Sequence, residues 1–74
     1  MKKFYIEIVD LISDDYILQS KWYDTEEQAI EWAKGIGYMD RMHTINLLSA
    51  DWDEDNEIYG DIYLERCLDS ELRI

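Results

Sequence analysis

The densest group of chemically active side chains lies between Asp51 and Glu57, where five of seven residues in Asp-Trp-Asp-Glu-Asp-Asn-Glu are acidic. Carboxylates at alternate positions are typical of a calcium-binding EF-hand loop, which also requires a bidentate Glu at its twelfth position. That position holds Ile62, and a strand pattern follows in place of a helix. The spacing therefore disfavours a calcium site. Two interpretations remain: a solvated hairpin loop with Trp52 folded back on a sheet, or a charged contact surface.

The other candidates for catalysis are isolated. His43 is the only histidine and Cys67 the only cysteine, and neither stands in a local zinc or nucleophile motif. Gly35 and Gly37 follow a helix pattern instead of opening one, so no phosphate-binding loop is indicated. We therefore expect no catalytic activity, no metal and no cofactor.

The balance of charge favours a binding function. The chain has 74 residues, with 18 acidic side chains against 7 basic ones and a formal net charge of −11. Such a field repels nucleic acid and anionic lipid and attracts basic surfaces. Direct binding of DNA or RNA is disfavoured, because it requires Lys and Arg to neutralise phosphates. We expect a basic protein surface as the partner; the alternative is that the charge serves solubility alone.

Cysteine content and hydropathy indicate the compartment. One cysteine cannot form an internal disulfide, which small secreted domains usually need. The first residues include lysines, but no apolar stretch of a secretory signal precedes Glu7. No apolar run approaches the roughly 20 residues of a membrane helix. We expect a cytoplasmic protein.

Alternation of apolar and polar residues predicts two strands at the start of the chain. The first is Lys2 to Leu11, with Phe4, Ile6 and Ile8 on one face. A turn at Ser13-Asp14-Asp15 follows, and alternation resumes from Tyr16 to Tyr23. The two segments should pair as an antiparallel hairpin.

A helix is predicted after the hairpin. Thr25 as N-cap and Gln28 three residues later form a capping box, and Gly35 and Gly37 should end the helix. Its apolar residues recur at helical spacing: Ala29, Ile30, Ala33 and Ile36, with Trp32 beside them.

Two more strands complete the prediction. Thr44 to Ala50 is the third strand, Asp51 to Glu57 an acidic loop, Ile58 to Leu68 the fourth strand, and Asp69 to Ile74 a loose tail. On the fourth strand, Ile58, Gly60, Ile62, Leu64 and Leu68 should share one face, and Tyr59, Asp61, Tyr63, Glu65 and Cys67 the other.

The predicted fold is one acidic α+β domain over residues 1–74. It has a four-stranded antiparallel sheet in β-β-α-β-β order, with one helix packed on one face. Large rings on both faces of the strands, such as Trp22 and Tyr23, exceed what one helix can cover. The second face is then solvated, covered by a partner, or buried in a homodimer.

The segment from Ser20 to Lys34, Ser-Lys-Trp-Tyr-Asp-Thr-Glu-Glu-Gln-Ala-Ile-Glu-Trp-Ala-Lys, resembles small proteins encoded by phages and prophages of Gram-positive bacteria. The resemblance covers about a fifth of the chain. The chain as a whole is tiny, acidic and free of proline, and in these respects it is similar to anti-CRISPR and antirestriction inhibitors. Some of these inhibitors place carboxylates where phosphates would lie in a DNA-binding channel.

Our hypothesis from the sequence is a non-enzymatic inhibitor that presents carboxylates to a host nucleic-acid-processing nuclease, with a CRISPR effector as the candidate target. It would act in the host cytoplasm. The alternative is a small homodimeric structural or adaptor protein with no nuclease target. The predicted partner-binding residues are Asp51, Trp52, Asp53, Glu54, Asp55 and Glu57, a second cluster of Asp14 and Asp15, and the aromatic residues Tyr59 and Tyr63.

Overall fold

The computed structural model describes residues 1–13, 15–36 and 43–72. It is an α+β fold with an antiparallel sheet, so the predicted class is confirmed. Along the chain the elements are β1 (Lys2–Asp10), β2 (Tyr16–Gln19), α1 (Glu26–Ile36), β3 (His43–Asp53), β4 (Ile58–Tyr59), β5 (Tyr63–Cys67) and α2 (Asp69–Leu72). The observed order, β-β-α-β-β-β-α, has one strand and one helix beyond the predicted order.

The pairing of β1 with β3 forms the centre of the sheet. Its register is continuous from Lys2 opposite Asp51 to Asp10 opposite His43. β2 lies outside β1, and both β4 and β5 lie on the other side of β3. Because every pairing is antiparallel, the start of β1 and the end of β3 meet at the same end of the sheet.

The second strand is shorter than predicted, because a serine side chain interrupts its pairing with β1. The Ile6 amide donates to Ser20 Oγ at 2.8 Å, and the Ser20 amide donates to the Ile6 carbonyl at 2.9 Å. Pairing resumes as an isolated bridge between Phe4 and Tyr23. Residues 20–22 therefore follow β1 outside a regular strand.

The predicted continuous strand from Ile58 to Leu68 is wrong. It is divided by residues 60–62, where the Gly60 amide donates to the Asp51 carbonyl at 2.8 Å. The register shifts again between Leu47 and Leu48, leaving Glu65 as an extra residue in β5. Each break changes the face to which the following side chains point. The predicted apolar face is consequently not buried, and of its members only Leu68 lies in the core.

The helix begins as predicted, with one difference at its cap. The Gln28 amide donates to Thr25 Oγ1 at 3.2 Å, while Gln28 Oε1 accepts from the Asp24 amide, one residue before the predicted N-cap partner. Gly35 was expected to end the helix but lies inside its last turn, and Gly37 lies outside the described residues. No helix in the described part of the chain is long and apolar enough to cross a membrane.

The core lies between α1 and the centre of the sheet. Ala29 and Ala33 of α1 are fully buried in a cluster with Ile6, Ile8 and Leu47. The alanines allow close packing of α1, because they have no long side chain. The segment after Leu68 is not the loose tail that was predicted for residues 69–74. It forms α2, whose Leu72 is buried in the same cluster, while residues 73 and 74 lie outside the described residues.

The opposite face of β1 is also largely covered within one chain. Tyr5, Glu7 and Val9 alternate with the core residues and are each less than a tenth exposed. Burial raises the pKa of the Glu7 carboxyl, and a hydrogen bond with the Asn46 side chain opposes that rise. The expectation of a broadly solvated or partner-covered second face therefore does not hold around β1.

Candidate protein-binding surface

The acidic segment forms the hairpin between β3 and β4, with residues 54–57 as its tip. Asp53 builds this tip. Its Oδ1 accepts from the backbone amides of Asp55 and Asn56 at 3.0 and 3.2 Å, and its Oδ2 accepts from Asn56 Nδ2 at 2.8 Å. These bonds, those from Asn56 above all, hold the pKa of the Asp53 carboxyl below its ordinary value. One predicted contact carboxylate therefore serves the turn itself.

The hairpin also contains a strained residue. Glu57 has φ of 55°, in the left-handed region that favours glycine or asparagine. The preceding Asn56 is a residue type that tolerates this conformation, yet the strain falls on Glu57. Glu57 is the last residue of the tip, and it is exposed.

Four carboxylates of the hairpin are directed to solvent. Asp51, Glu54, Asp55 and Glu57 are exposed, and none has an ion pair within 4 Å among the described residues. Exposed carboxylates without an ion pair produce a local negative potential and can accept hydrogen bonds from Lys or Arg of another molecule.

Cations at the chain start border the base of the hairpin. The Met1 amine donates to the Trp52 carbonyl at 3.2 Å, and Lys3 Nζ contacts Asp24 Oδ1. The hydrogen bond with Asp24 raises the pKa of Lys3, and the nearby Tyr59 and Glu54 contribute to the rise. Positive charge is therefore present at the base of the hairpin, whereas no described cation pairs with its tip.

Four rings form a continuous row on the Tyr5 face of the sheet, here called the aromatic row: Tyr5, Trp22, Tyr59 and Trp52. Centroids of Tyr5 and Trp22 are 4.6 Å apart with planes at 60°, and Trp22 stacks on Tyr59 at 4.0 Å and 13°. Tyr59 contacts Trp52 at 4.6 Å and 50°. The row ties the hairpin to β1 and to the segment before α1, so the hairpin has a rigid base.

The remaining predicted contact residues lie elsewhere. Asp15 is exposed in the turn after β1, while the hairpin is beside the start of β1. Eight residue steps of about 3.3 Å along β1 separate the two by roughly 26 Å. Asp15 is therefore not part of the hairpin surface, and Asp14 lies outside the described residues.

Tyr63 was expected on the same face as Tyr59, but the break at residues 60–62 separates them. Tyr63 is opposite Ser49 and borders a cavity of about 240 Å³ that is also lined by Lys2, Ala50, Asp51 and Glu65. Glu65 Oε1 accepts from Lys2 Nζ at 2.7 Å and from Ser49 Oγ at 2.5 Å. The hydrogen bond with Lys2, and after it the one with Ser49, lowers the pKa of the Glu65 carboxyl. Two of the cavity's charged side chains, Lys2 and Glu65, are thus paired with each other, while Asp51 at its rim has no described ion pair.

The isolated histidine and cysteine lie toward the other end of β3. Cys67 is exposed, with its Sγ 3.4 Å from Thr44 Oγ1, and Asp69 accepts from Thr44 Oγ1 and from the Ile45 amide. His43 is opposite Asp10. Within the described ranges, no group of three or more His, Cys, Asp or Glu residues is placed to hold a metal ion.

Two ring residues of the surface and one cation were missed from the sequence. Tyr5, Trp22 and Lys3 were not among the contact residues predicted from the sequence. The alternation along β1 puts Tyr5 on the face away from Phe4, and this was the signal in the sequence for the Tyr5 ring. The contacts of Trp22 and Lys3 depend on tertiary structure.

No protein-family model, curated protein or solved structure gives a significant match to the chain.

Proposed function

We propose that this protein is a non-enzymatic inhibitor that binds the basic, phosphate-binding surface of a host nucleic-acid-processing protein. The observation that carries the proposal is the acidic hairpin. Glu54, Asp55 and Glu57 are exposed without an ion pair in the described structure, on a chain with a net charge of −11. A CRISPR effector nuclease is the first candidate target, on the resemblance of residues 20–34 to phage proteins and of the whole chain to anti-CRISPR inhibitors.

The mechanism follows from the chemistry of phosphate binding. Lys and Arg in a nucleic-acid channel hold phosphates through charge-assisted hydrogen bonds, and carboxylates satisfy the same donors. The Asp53 turn and the aromatic row hold the hairpin in one conformation before binding, which lowers the entropic cost of association. The inhibitor then occupies the channel and excludes the nucleic acid.

The test measures competition with DNA. Guide-loaded CRISPR effector nucleases are incubated with duplex target and increasing amounts of the protein, and DNA binding is followed by mobility shift at several salt concentrations. We expect inhibition that weakens as salt rises, because screening reduces long-range attraction. Neutralising the tip should slow association about tenfold or more, since steering charges act mainly on the on-rate. The tip variant combines Glu54→Gln, Asp55→Asn and Glu57→Gln.

A matched control removes the same number of charges away from the hairpin. It combines Asp15→Asn, Glu27→Gln and Glu31→Gln, all exposed positions. If the control slows association as much as the tip variant, net charge acts without a defined surface. If no effector is inhibited, the nuclease target is wrong. If the tip variant inhibits normally but Tyr63→Ala does not, the contact is an aromatic interface and the carboxylate mechanism fails.

A further inference from the structure

The edge of the sheet at β5 is open and apolar. β5 pairs with β3 on one side, and no described strand pairs with its other side. Ile58, Ile62, Tyr63 and Leu64 along this edge are 58, 54, 61 and 62% exposed. An unpaired strand leaves backbone N–H and C=O groups free and is a template for another strand.

Apart from the extra residue at Glu65, which bends the strand, β5 has few of the usual protections of an exposed edge. The chain contains no proline, and β5 contains no lysine. Its two charged side chains are engaged within the protein: Glu65 with Lys2 and Ser49, and Arg66 with Glu26 at 2.9 Å and Glu71 at 2.6 Å. Although the chain is strongly acidic, the edge itself presents little unpaired charge.

We propose that a second copy of this chain pairs with β5, forming a two-fold dimer with a continuous sheet. An antiparallel pairing centred on Leu64 places that residue opposite its own copy. It also places Tyr63 opposite Glu65 of the second copy, so no carboxylate faces another carboxylate. A pairing with two-fold symmetry closes on itself and stops at the dimer.

The same geometry separates the strongest charges. β3 runs in opposite directions in the two copies, so the two acidic hairpins lie at opposite ends of the joined sheet. Two chains of charge −11 still repel each other overall. Dimerisation therefore strengthens as salt rises, whereas the hairpin's binding to a basic surface weakens. This opposite sign makes the dimer independent of the proposed inhibitory function.

The first experiment is sedimentation velocity over a range of protein and salt concentrations. We expect a monomer–dimer equilibrium that shifts toward dimer with salt. Leu64→Lys should raise the dissociation constant about tenfold or more, because a charge at the centre of the interface loses its solvation. The matched control is Leu18→Lys on β2, the opposite sheet edge, where Leu18 is 38% exposed. Circular dichroism checks that both variants are folded.

A cross-link tests the register. Leu64→Cys in a Cys67→Ser background should form a disulfide-linked dimer on oxidation, since facing residues of antiparallel strands have Cα atoms about 4.5–5.5 Å apart. Ile12→Cys in the same background should not. A monomer at all salt and protein concentrations would overturn the proposal. So would assembly beyond the dimer, or equal damage from Leu18→Lys. Normal competition with DNA by the Leu64→Lys variant would show that the inhibitory function does not need the dimer, whereas a wild-type chain that competes with DNA but stays monomeric would leave that function standing while the dimer proposal fails.

Discussion

The acidic hairpin and the edge strand β5 follow one another along the same side of β3, yet different interactions hold them. The hairpin tip is built by bonds from Asp53 to residues two and three positions away. β5 is held by residues distant in sequence, with Lys2 bound to Glu65 and Glu26 bound to Arg66. The charged side chains of β5 are bound within the fold, whereas Glu54, Asp55 and Glu57 of the hairpin remain available to a partner.

This contrast separates the amount of charge from its availability. Exposed ion pairs contribute little to stability, but each one removes a charge from the field that a partner meets. Among the described residues, the cations Lys2, Lys3 and Arg66 pair with Glu65, Asp24, Glu26 and Glu71, and none of them pairs with the hairpin tip. The proposed contact surface is therefore distinguished by its position in the fold, and not by acidity alone.

The largest expected effect comes from breaking the long-range attachment of β5. Leu68 is fully buried, and its amide donates to the Ile45 carbonyl at 2.8 Å. Leu68→Ala should destabilise the protein by about 2–5 kcal/mol through lost burial and a cavity. Urea denaturation measures this, at a concentration too low for self-association. The exposed Leu64→Ala should change stability by less than about 0.5 kcal/mol, and equal losses would contradict this description of the segment.

An intermediate effect, of opposite sign, is expected in the hairpin. Glu57→Gly should stabilise the protein by about 1 kcal/mol, because glycine adopts the left-handed conformation without strain. Glu57→Gln removes the same charge and keeps the strain, so it isolates the backbone contribution. Thermal denaturation of the two variants gives the comparison. If Glu57→Gly were no more stable than Glu57→Gln, the backbone at residue 57 would not be strained.

The smallest effect is on the dependence of stability on pH. The Lys2 ammonium and then Ser49 hold the pKa of Glu65 below its ordinary value of 4.5. A lowered folded pKa gives stability that is present above 4.5 and is lost as pH falls through the folded value. Glu65→Gln should therefore flatten the acid limb of a plot of urea midpoint against pH.

Glu7 provides the opposite sign, since burial raises its pKa in the folded protein. Its contribution is present below the ordinary pKa and is lost as pH rises through the folded value. Glu7→Gln should raise the urea midpoint at neutral pH and have little effect in acid. If both variants changed the pH dependence of the urea midpoint in the same direction, the opposite signs given to Glu65 and Glu7 would be wrong.

The sequence was sufficient where local patterns and tertiary contacts agree. Alternation placed Phe4, Ile6 and Ile8 on one face, and the Thr25 cap is present. It failed after residue 58, because the extra residue at Glu65 has no local signature. It also failed at α2, since four residues give no helical period and the turn depends on tertiary contacts, such as the burial of Leu72 and the bonds of Asp69 to Thr44 and Ile45.

Prediction of the surface followed the same division. The acidic run at residues 51–57 was visible in the sequence, and its exposure follows from its place in a hairpin. Tyr59 and Tyr63 lie on different faces because of the break at residues 60–62. The separation of Asp15 from the hairpin depends on which end of β1 lies beside the end of β3. Neither could be read from spacing, because both depend on strand register.

The stacking of Trp22 on Tyr59 has an optical consequence. Rings 4.0 Å apart and 13° from parallel are close enough for their electronic transitions to couple. The native protein should therefore give an aromatic exciton band in far-ultraviolet circular dichroism, superimposed on the backbone signal. Because the two residues are 37 positions apart, the band vanishes when the hairpin leaves the sheet, even if the helices persist. It offers a label-free reporter of hairpin opening, which Trp22→Phe should abolish.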